Sequence, residues 1–210
     1  MKYFIDFEFI EGFHKPMFGK RRHFIDLISV GICSLDGREY HAISSEYNYK
    51  DASQWVKDNV IIPLYTQTVH GDRRSVTDSD TFHKEFGYPN SHIAAKLLEF
   101  IYEREDVDYH IGILGNKRAE RVNSKIELIG YYSAYDHVLL CSLFGTMTDL
   151  PKGFPMYTTD LIQKVSQHTA NPENWIAENI PPPKKEHNAL SDAKWTMELW
   201  KALPGDVNEF

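Results

Sequence analysis

Cysteine is almost missing from this chain: Cys33 and Cys141 are the only two in 210 residues. Both lie inside apolar runs. That suits buried free thiols in a reducing compartment and argues against a disulfide framework or a cysteine-based zinc site. HExxH, CxxC and a tight histidine pair at ligand spacing are also absent, so the ten histidines do not spell a zinc hydrolase. No apolar run approaches the roughly 20 residues of a membrane span, and mean hydropathy is -0.45. Asp6 and Glu8 interrupt the apolar N-terminus and no small-residue cleavage site follows. The expectation is a protein without a signal peptide or membrane partner, in the cytoplasm. Internal repeats are lacking as well.

Positive charge is in deficit, with a net charge of -7. A phosphate-backbone partner favours a basic surface, so this balance counts against nucleic acid at first sight. Two features offset it. Clustered carboxylates are neutralised when divalent cations bind. Basic residues are also concentrated locally, at Lys20-Arg21-Arg22-His23, Arg73-Arg74, Lys117-Arg118 with Arg121, and Lys184-Lys185. Each such run, taken alone, equally describes a solvated loop.

What is present is enough for a core: 42% hydrophobic and 13% aromatic residues. The length predicts a single domain over residues 1–210, with inserted loops near 64–90 and 106–124. Residues 2–9, 24–34 and 39–44 read as strands, the last two joined by an Asp36-Gly37 turn, so the chain opens as an antiparallel meander. Residues 52–61 read as a short helix with Pro63 just beyond it, and 91–104 as a helix capped by Ser91. Residues 110–114 allow a strand, 126–133 predict a buried strand, and 136–144 and 159–168 predict helices. Pro181-Pro182-Pro183 is extended, and a long helix spans about 188–203. The order predicts an α/β fold with a mixed sheet flanked by helices.

Five residues in three segments carry the chemistry. Asp6 and Glu8 alternate on one strand, so both project from the same face. Two adjacent carboxylates repel when ionised, and a hard divalent cation resolves that conflict. A water-facing strand edge would also accommodate them. Asp136 opens a helix just after a strand, where ligands collect in open α/β sheets, although a first-turn aspartate also answers the helix dipole. His187 and Asp192 flank the entry to the last helix. The helical carboxylate suits a metal ligand and the loop histidine a mobile base. Dipole compensation and a surface histidine would explain them equally well when each is taken singly.

Together and in this order, these segments resemble the DEDDh exonucleases, a branch of the ribonuclease H-like superfamily. Asp6 and Glu8 match the first motif, Asp136 the second, and His187 with Asp192 the third, whose H-x4-D spacing marks the histidine-based branch. The strings YFIDFEFIE, LISVGICSLDGREYHAIS, SAYDHVLLCSLFGTMTDLP and HNALSDA are similar to a bacterial subgroup, the polyadenylate-specific exoribonuclease AS type. The resemblance implies a ribonuclease H-like fold and two Mg²⁺ or Mn²⁺ ions held by Asp6, Glu8, Asp136 and Asp192. It implies His187 as general base and 3′-to-5′ hydrolysis of single-stranded RNA to 5′-nucleoside monophosphates. A leaning toward adenylate and a homodimer also follow from it. Phe9 and Ile10, just past the acidic pair, are candidates for contact with the terminal nucleotide. The chain departs from the pattern in the stretches 66–90 and 106–124, and at Tyr131-Tyr132, where tryptophan-rich sequence is expected. A proofreading-type DNA exonuclease would keep the same chemistry. A binding module of the same fold would not need the acidic cluster.

Overall fold

The computed structural model describes residues 1–14, 18–69, 79–102, 125–183 and 185–205. Strands β1 (Lys2–His14), β2 (Arg22–Ser34) and β3 (Glu39–Ile43) form the antiparallel meander. Helix α1 (Gln54–Val56) runs through a π turn (Lys57–Ile61) into α2 (Ile62–Val69). Helices α3 (Phe82–Phe86) and α4 (Asn90–Tyr102) follow, and then β4 (Glu127–Gly130) and α5 (Ala134–Phe144). The chain closes with β5 (Thr159–Asp160), α6 (Leu161–Ser166), α7 (Pro172–Asn179) and α8 (Ala189–Ala202). The five strands form one sheet in the order β3-β2-β1-β4-β5, with β4 parallel to both β1 and β5. This mixed sheet flanked by helices is the ribonuclease H-like arrangement expected from the sequence. No helix among the described residues is long and apolar enough to cross a membrane.

Alternation along β1 divides the domain into two layers. Tyr3, Ile5 and Phe7 enter a core with Ile93 and Leu97 of α4 and Leu139 of α5. Phe4 points the other way, into a core with Leu161 of α6, Ile176 of α7 and Leu199 of α8. Asp6 and Glu8 share the Phe4 face, which puts both carboxylates beneath α8. Opposite Glu8 and Phe9, Ile28 is an extra residue that makes a bulge in β2. Beyond it a third cluster joins Ile10, Ile28 and Ile43 to Ile61 and Leu64 of the α1–α2 stretch.

The structure differs from the sequence-based expectation in several places: the helix expected over 159–168 begins only at Leu161, after a short strand at Thr159–Asp160, and Ser91, expected to cap α4, lies inside it. The helix expected to stop before Pro63 continues to Val69. Pro63 has no N–H to give an i−4 carbonyl, and the preceding π turn, in which the Ile62 N–H reaches the Lys57 carbonyl, absorbs the defect. The described part of 64–90 is therefore largely helical, while 106–124 lies outside the described residues. The strand expected over 126–133 stops at Gly130, because Tyr132 turns the chain with φ 53°. Helix α7 was not anticipated, although its start is legible: Asn171 caps it and Pro172 occupies its first turn.

Candidate active site

Asp6 pairs with Gly31 across the β1–β2 ladder. A Cβ built on Gly31 would run into the carbonyl group of Ala189 and the N of Leu190. The first turn of α8 thus lies directly on β2, at a distance that only glycine allows. That approach carries Asp192 over β1. Asp6, Glu8 and Asp192 each offer an oxygen, and these oxygens lie within 4.8 Å of one another.

Asp136 arrives from the other flank. β1 pairs with β4 only over Lys2–Phe4, so its edge is open further along. Asp136 Oδ1 accepts the Phe7 N–H there at 3.2 Å, taking the place of a strand partner between Asp6 and Glu8. The residue is 6% exposed. The turn leading into its helix is held by Asp160, whose carboxylate accepts the N–H groups of Tyr132 (3.0 Å), Ser133 (3.2 Å) and Ile162 (3.1 Å). Sequence reasoning missed Asp160. Its N-cap position before Leu161 was legible, but the two bonds to the turn at Tyr132 and Ser133 depend on β4 and β5 being neighbours.

His187 precedes α8 with φ 59°, a left-handed conformation that non-glycine residues seldom adopt. Backbone strain of this kind concentrates at functional sites. The following residue, Asn188, caps α8: its Oδ1 accepts the Ser191 N–H at 3.0 Å, and its own N–H donates to Asp192 Oδ2 at 3.0 Å. The cleft above the carboxylates measures about 460 Å³ and includes His187, a size suited to a small ligand or one nucleotide. Its walls are aromatic. Phe9 packs on Tyr135 at 5.3 Å, and Tyr131 meets Trp195 edge-on at 5.0 Å. Phe9, half-buried, lines this cleft. Ile10 does not: alternation keeps it on the Glu8 face of β1, but there it is 1% exposed, covered by Val60, Ile61 and Leu64 of the α1–α2 stretch. The expected contact of Ile10 with substrate is therefore withdrawn.

Electrostatics single out the same four carboxylates. Burial, reinforced by Asp136, Glu8 and Asp192, holds Asp6 well above the ordinary aspartate range. Burial and then Asp192 push Glu8 up to about 8. Burial pushes Asp136 up to about 8, against the lowering effect of the Phe7 N–H and with help from Glu8 and Asp160. Asp192 rises to about 7 through burial, and the N–H groups of Asn188 and His187 restrain it. A site of this kind needs either protons or cations to be stable at neutral pH. Hard oxygen donors crowded on one face fit Mg²⁺ or Mn²⁺. Among the described residues, Asp6, Glu8 and Asp192 form the group with ligand atoms at this spacing, and it contains no histidine or cysteine.

A ribonuclease H-like sheet with a buried carboxylate cluster over its central strand defines a nuclease-type α/β domain. The chain belongs to the family described as the 3′-5′ exoribonuclease Rv2179c-like domain, which matches residues 1–203. It is 31% identical over 206 residues to the 3′-5′ exoribonuclease Rv2179c of Mycobacterium tuberculosis strain H37Rv, covering 97% of this chain and 93% of that protein. The 3′-5′ exoribonuclease MT2234.1 of strain CDC 1551 matches to the same extent.

Proposed function

We propose that this protein is a divalent-metal-dependent 3′-5′ exoribonuclease of the DEDDh type that acts on single-stranded RNA 3′ ends. The observation that carries the proposal is the convergence of Asp6, Glu8 and Asp192 within 4.8 Å, with Asp136 fastened to the backbone between the first two. Asp6, Glu8, Asp136 and Asp192 would hold Mg²⁺ or Mn²⁺, two ions per site. Bound ions of this type lower the pKa of water and neutralise charge on the phosphodiester.

The remaining work falls to the chain itself. His187 takes the proton of the attacking water, the general-base role most often filled by histidine. The water oxygen adds to phosphorus, the 3′-oxygen of the penultimate nucleotide leaves with a proton, and a 5′-nucleoside monophosphate is released. Phe9 and Tyr135 offer an aromatic surface against which a terminal base can stack. The net charge of -7 counts the four cluster carboxylates as ionised, so ion binding reduces the repulsion that RNA meets at the cleft. A preference for adenylate, a homodimeric state and a cytoplasmic location complete the proposal. The first two rest on the likeness of the motif strings described above.

A time course on RNA oligonucleotides ending in A, C, G or U, with matched DNA controls, tests the reading. Stepwise shortening from the 3′ end in Mg²⁺ or Mn²⁺, abolished by chelator, is expected. Shortening that persists in excess chelator would sink it, and equal rates on DNA would reassign the substrate through indifference to the 2′-OH.

The cluster also sets a pH dependence for the metal-free protein. Glu8, Asp136 and Asp192 have folded values of about 7 to 8, above those of an unfolded chain. Their contribution is therefore fully present below the unfolded carboxylate range and is lost as pH rises through 7 to 8. The Tm in chelator is expected to fall by about 5 °C or more between pH 5.5 and 8.5, and Mg²⁺ or Mn²⁺ to restore most of it at pH 8.5. A Tm in chelator that rises over this interval would contradict the electrostatic account.

A further inference from the structure

The helical stretch 54–69 touches the loop carrying His187 at two consecutive residues. The Trp55 ring meets the His187 ring edge-on at 5.0 Å. Twelve residues further on, Gln67 Oε1 accepts Asn188 Nδ2–H at 3.0 Å. One element thus grips two consecutive residues of the loop, and these are the two whose N–H groups bear on the Asp192 carboxylate.

The π turn makes this double grip possible. An unbroken α-helix advances about 100° per residue, which would set positions 55 and 67 about 120° apart. The extra residue in a π turn takes back about 100°, so both side chains come onto nearly the same face. The element is itself firmly seated, since Val60, Ile61 and Leu64 are buried against Ile10 and Ile28 of the sheet. Trp55, by contrast, is 57% exposed, far more than a tryptophan recruited for core packing. Its ring contact is with an imidazole held at φ 59°.

We infer that the 54–69 stretch is a clamp that fixes the His187 imidazole over the carboxylate cluster, with Trp55 and Gln67 as positioning residues for the proposed hydrolysis. The clamp holds the left-handed backbone of His187 through Asn188 and limits the ring to one approach through Trp55. It therefore acts on turnover and not on substrate capture. The inference rests on His187 serving as the base, and the test separates failure of the two.

The experiment measures kcat and KM on a short oligoribonucleotide for Trp55→Ala, Trp55→Phe, Gln67→Ala, His187→Ala and the double variant Trp55→Ala/His187→Ala. His187→Ala is expected to lower kcat about 10²-fold or more. Trp55→Ala is expected to lower kcat about 10-fold or more with KM unchanged within about twofold, since a misplacement of about 1 Å can cost up to 10²-fold. Gln67→Ala should act in the same direction, and Trp55→Phe, which keeps an edge for the imidazole, should retain about half of the rate. In the His187→Ala background Trp55→Ala should cost nothing further, because the group it positions is gone. Circular dichroism melting checks that each variant is folded, and Trp55, being exposed, has little to lose in stability.

An unchanged rate for His187→Ala would overturn the base assignment. A loss in His187→Ala with wild-type kcat in both Trp55→Ala and Gln67→Ala would overturn the clamp alone. A change confined to KM, or an equal Trp55→Ala loss with and without His187, would overturn it too by making Trp55 a substrate contact.

Discussion

Asp6→Asn is expected to lower turnover by about 10³-fold or more while raising the Tm of the metal-free protein at alkaline pH. The two effects have one cause. Asp6 lies at the centre of the cluster, and Asp136, Glu8 and Asp192 all raise its pKa in addition to burial. A group so placed is held against its own solvation and against three like charges, which the proposed cation would offset by drawing on its oxygens. Asparagine keeps the size and one carbonyl oxygen but removes the charge. Cation-borne stabilisation of a developing charge amounts to several kcal/mol, and each 1.36 kcal/mol is about tenfold in rate. Meanwhile the neighbours lose a repulsive partner, so metal-free Asp6→Asn should melt higher than wild type at pH 8.5 and show a flatter Tm profile with pH. Single-turnover assays in Mg²⁺, paired with melting curves in chelator, read both. A folded Asp6→Asn protein with a tenth of the wild-type rate would remove Asp6 from the ligand set. A lower Tm in chelator would mean that Asp6 is bound by something other than a cation.

Gly31→Val carries the second large effect, at a residue with no side chain. The Cβ of any replacement meets backbone atoms of Ala189 and Leu190, which cannot swing aside as the end of a flexible side chain can. The first turn of α8 must lift, and Asp192 lifts with it away from Asp6 and Glu8. Overpacking of this kind costs about 1–3 kcal/mol, or a Tm lower by about 5 °C in a domain of this size. Turnover should fall about 10²-fold or more even in the folded fraction, because catalytic geometry tolerates about 1 Å of error poorly. Gly31→Ala should show a smaller version of both effects. Weakened Mg²⁺ protection against heat would distinguish displaced ligands from a merely loosened core. Wild-type turnover at wild-type Tm in Gly31→Val would show that α8 does not depend on this contact for its seat.

Much of the framework was readable because it is local. The alternation of Phe4, Asp6 and Glu8 against Tyr3, Ile5 and Phe7 has the period of a strand, and the structure keeps it on the two faces of β1. The Asp36-Gly37 turn joins β2 and β3 as anticipated, with Gly37 at φ 90°. The helix expected over about 188–203 is α8, which the structure caps with Asn188 and buries along Ala189, Ala193 and Leu199. Where the reading failed, a distant or non-standard partner decided. Pro63 is a helix stop in every local rule, yet a π turn accommodates it. Ile10 sits next to the cleft in sequence, but the helical stretch carrying Val60, Ile61 and Leu64 covers it. Asp160 looks like an ordinary cap until β4 and β5 pair and bring Tyr132 within its reach.

By itself, then, the order of residues determined the segments of β1 to β4, the shared face of Asp6 and Glu8, and the presence of Asp136, His187 and Asp192 at strand and helix ends. These are properties of short periods and of caps, set by neighbours within a few positions. Only the tertiary structure decided that α8 rests on Gly31, that Asp136 is fastened to the Phe7 N–H, that Asp160 shapes the turn before it, and that Trp55 and Gln67 hold the histidine loop. Each of those depends on contacts between residues from 27 to 159 positions apart. Such contacts are specified by how whole elements pack and pair, not by any pattern that a local stretch of sequence carries.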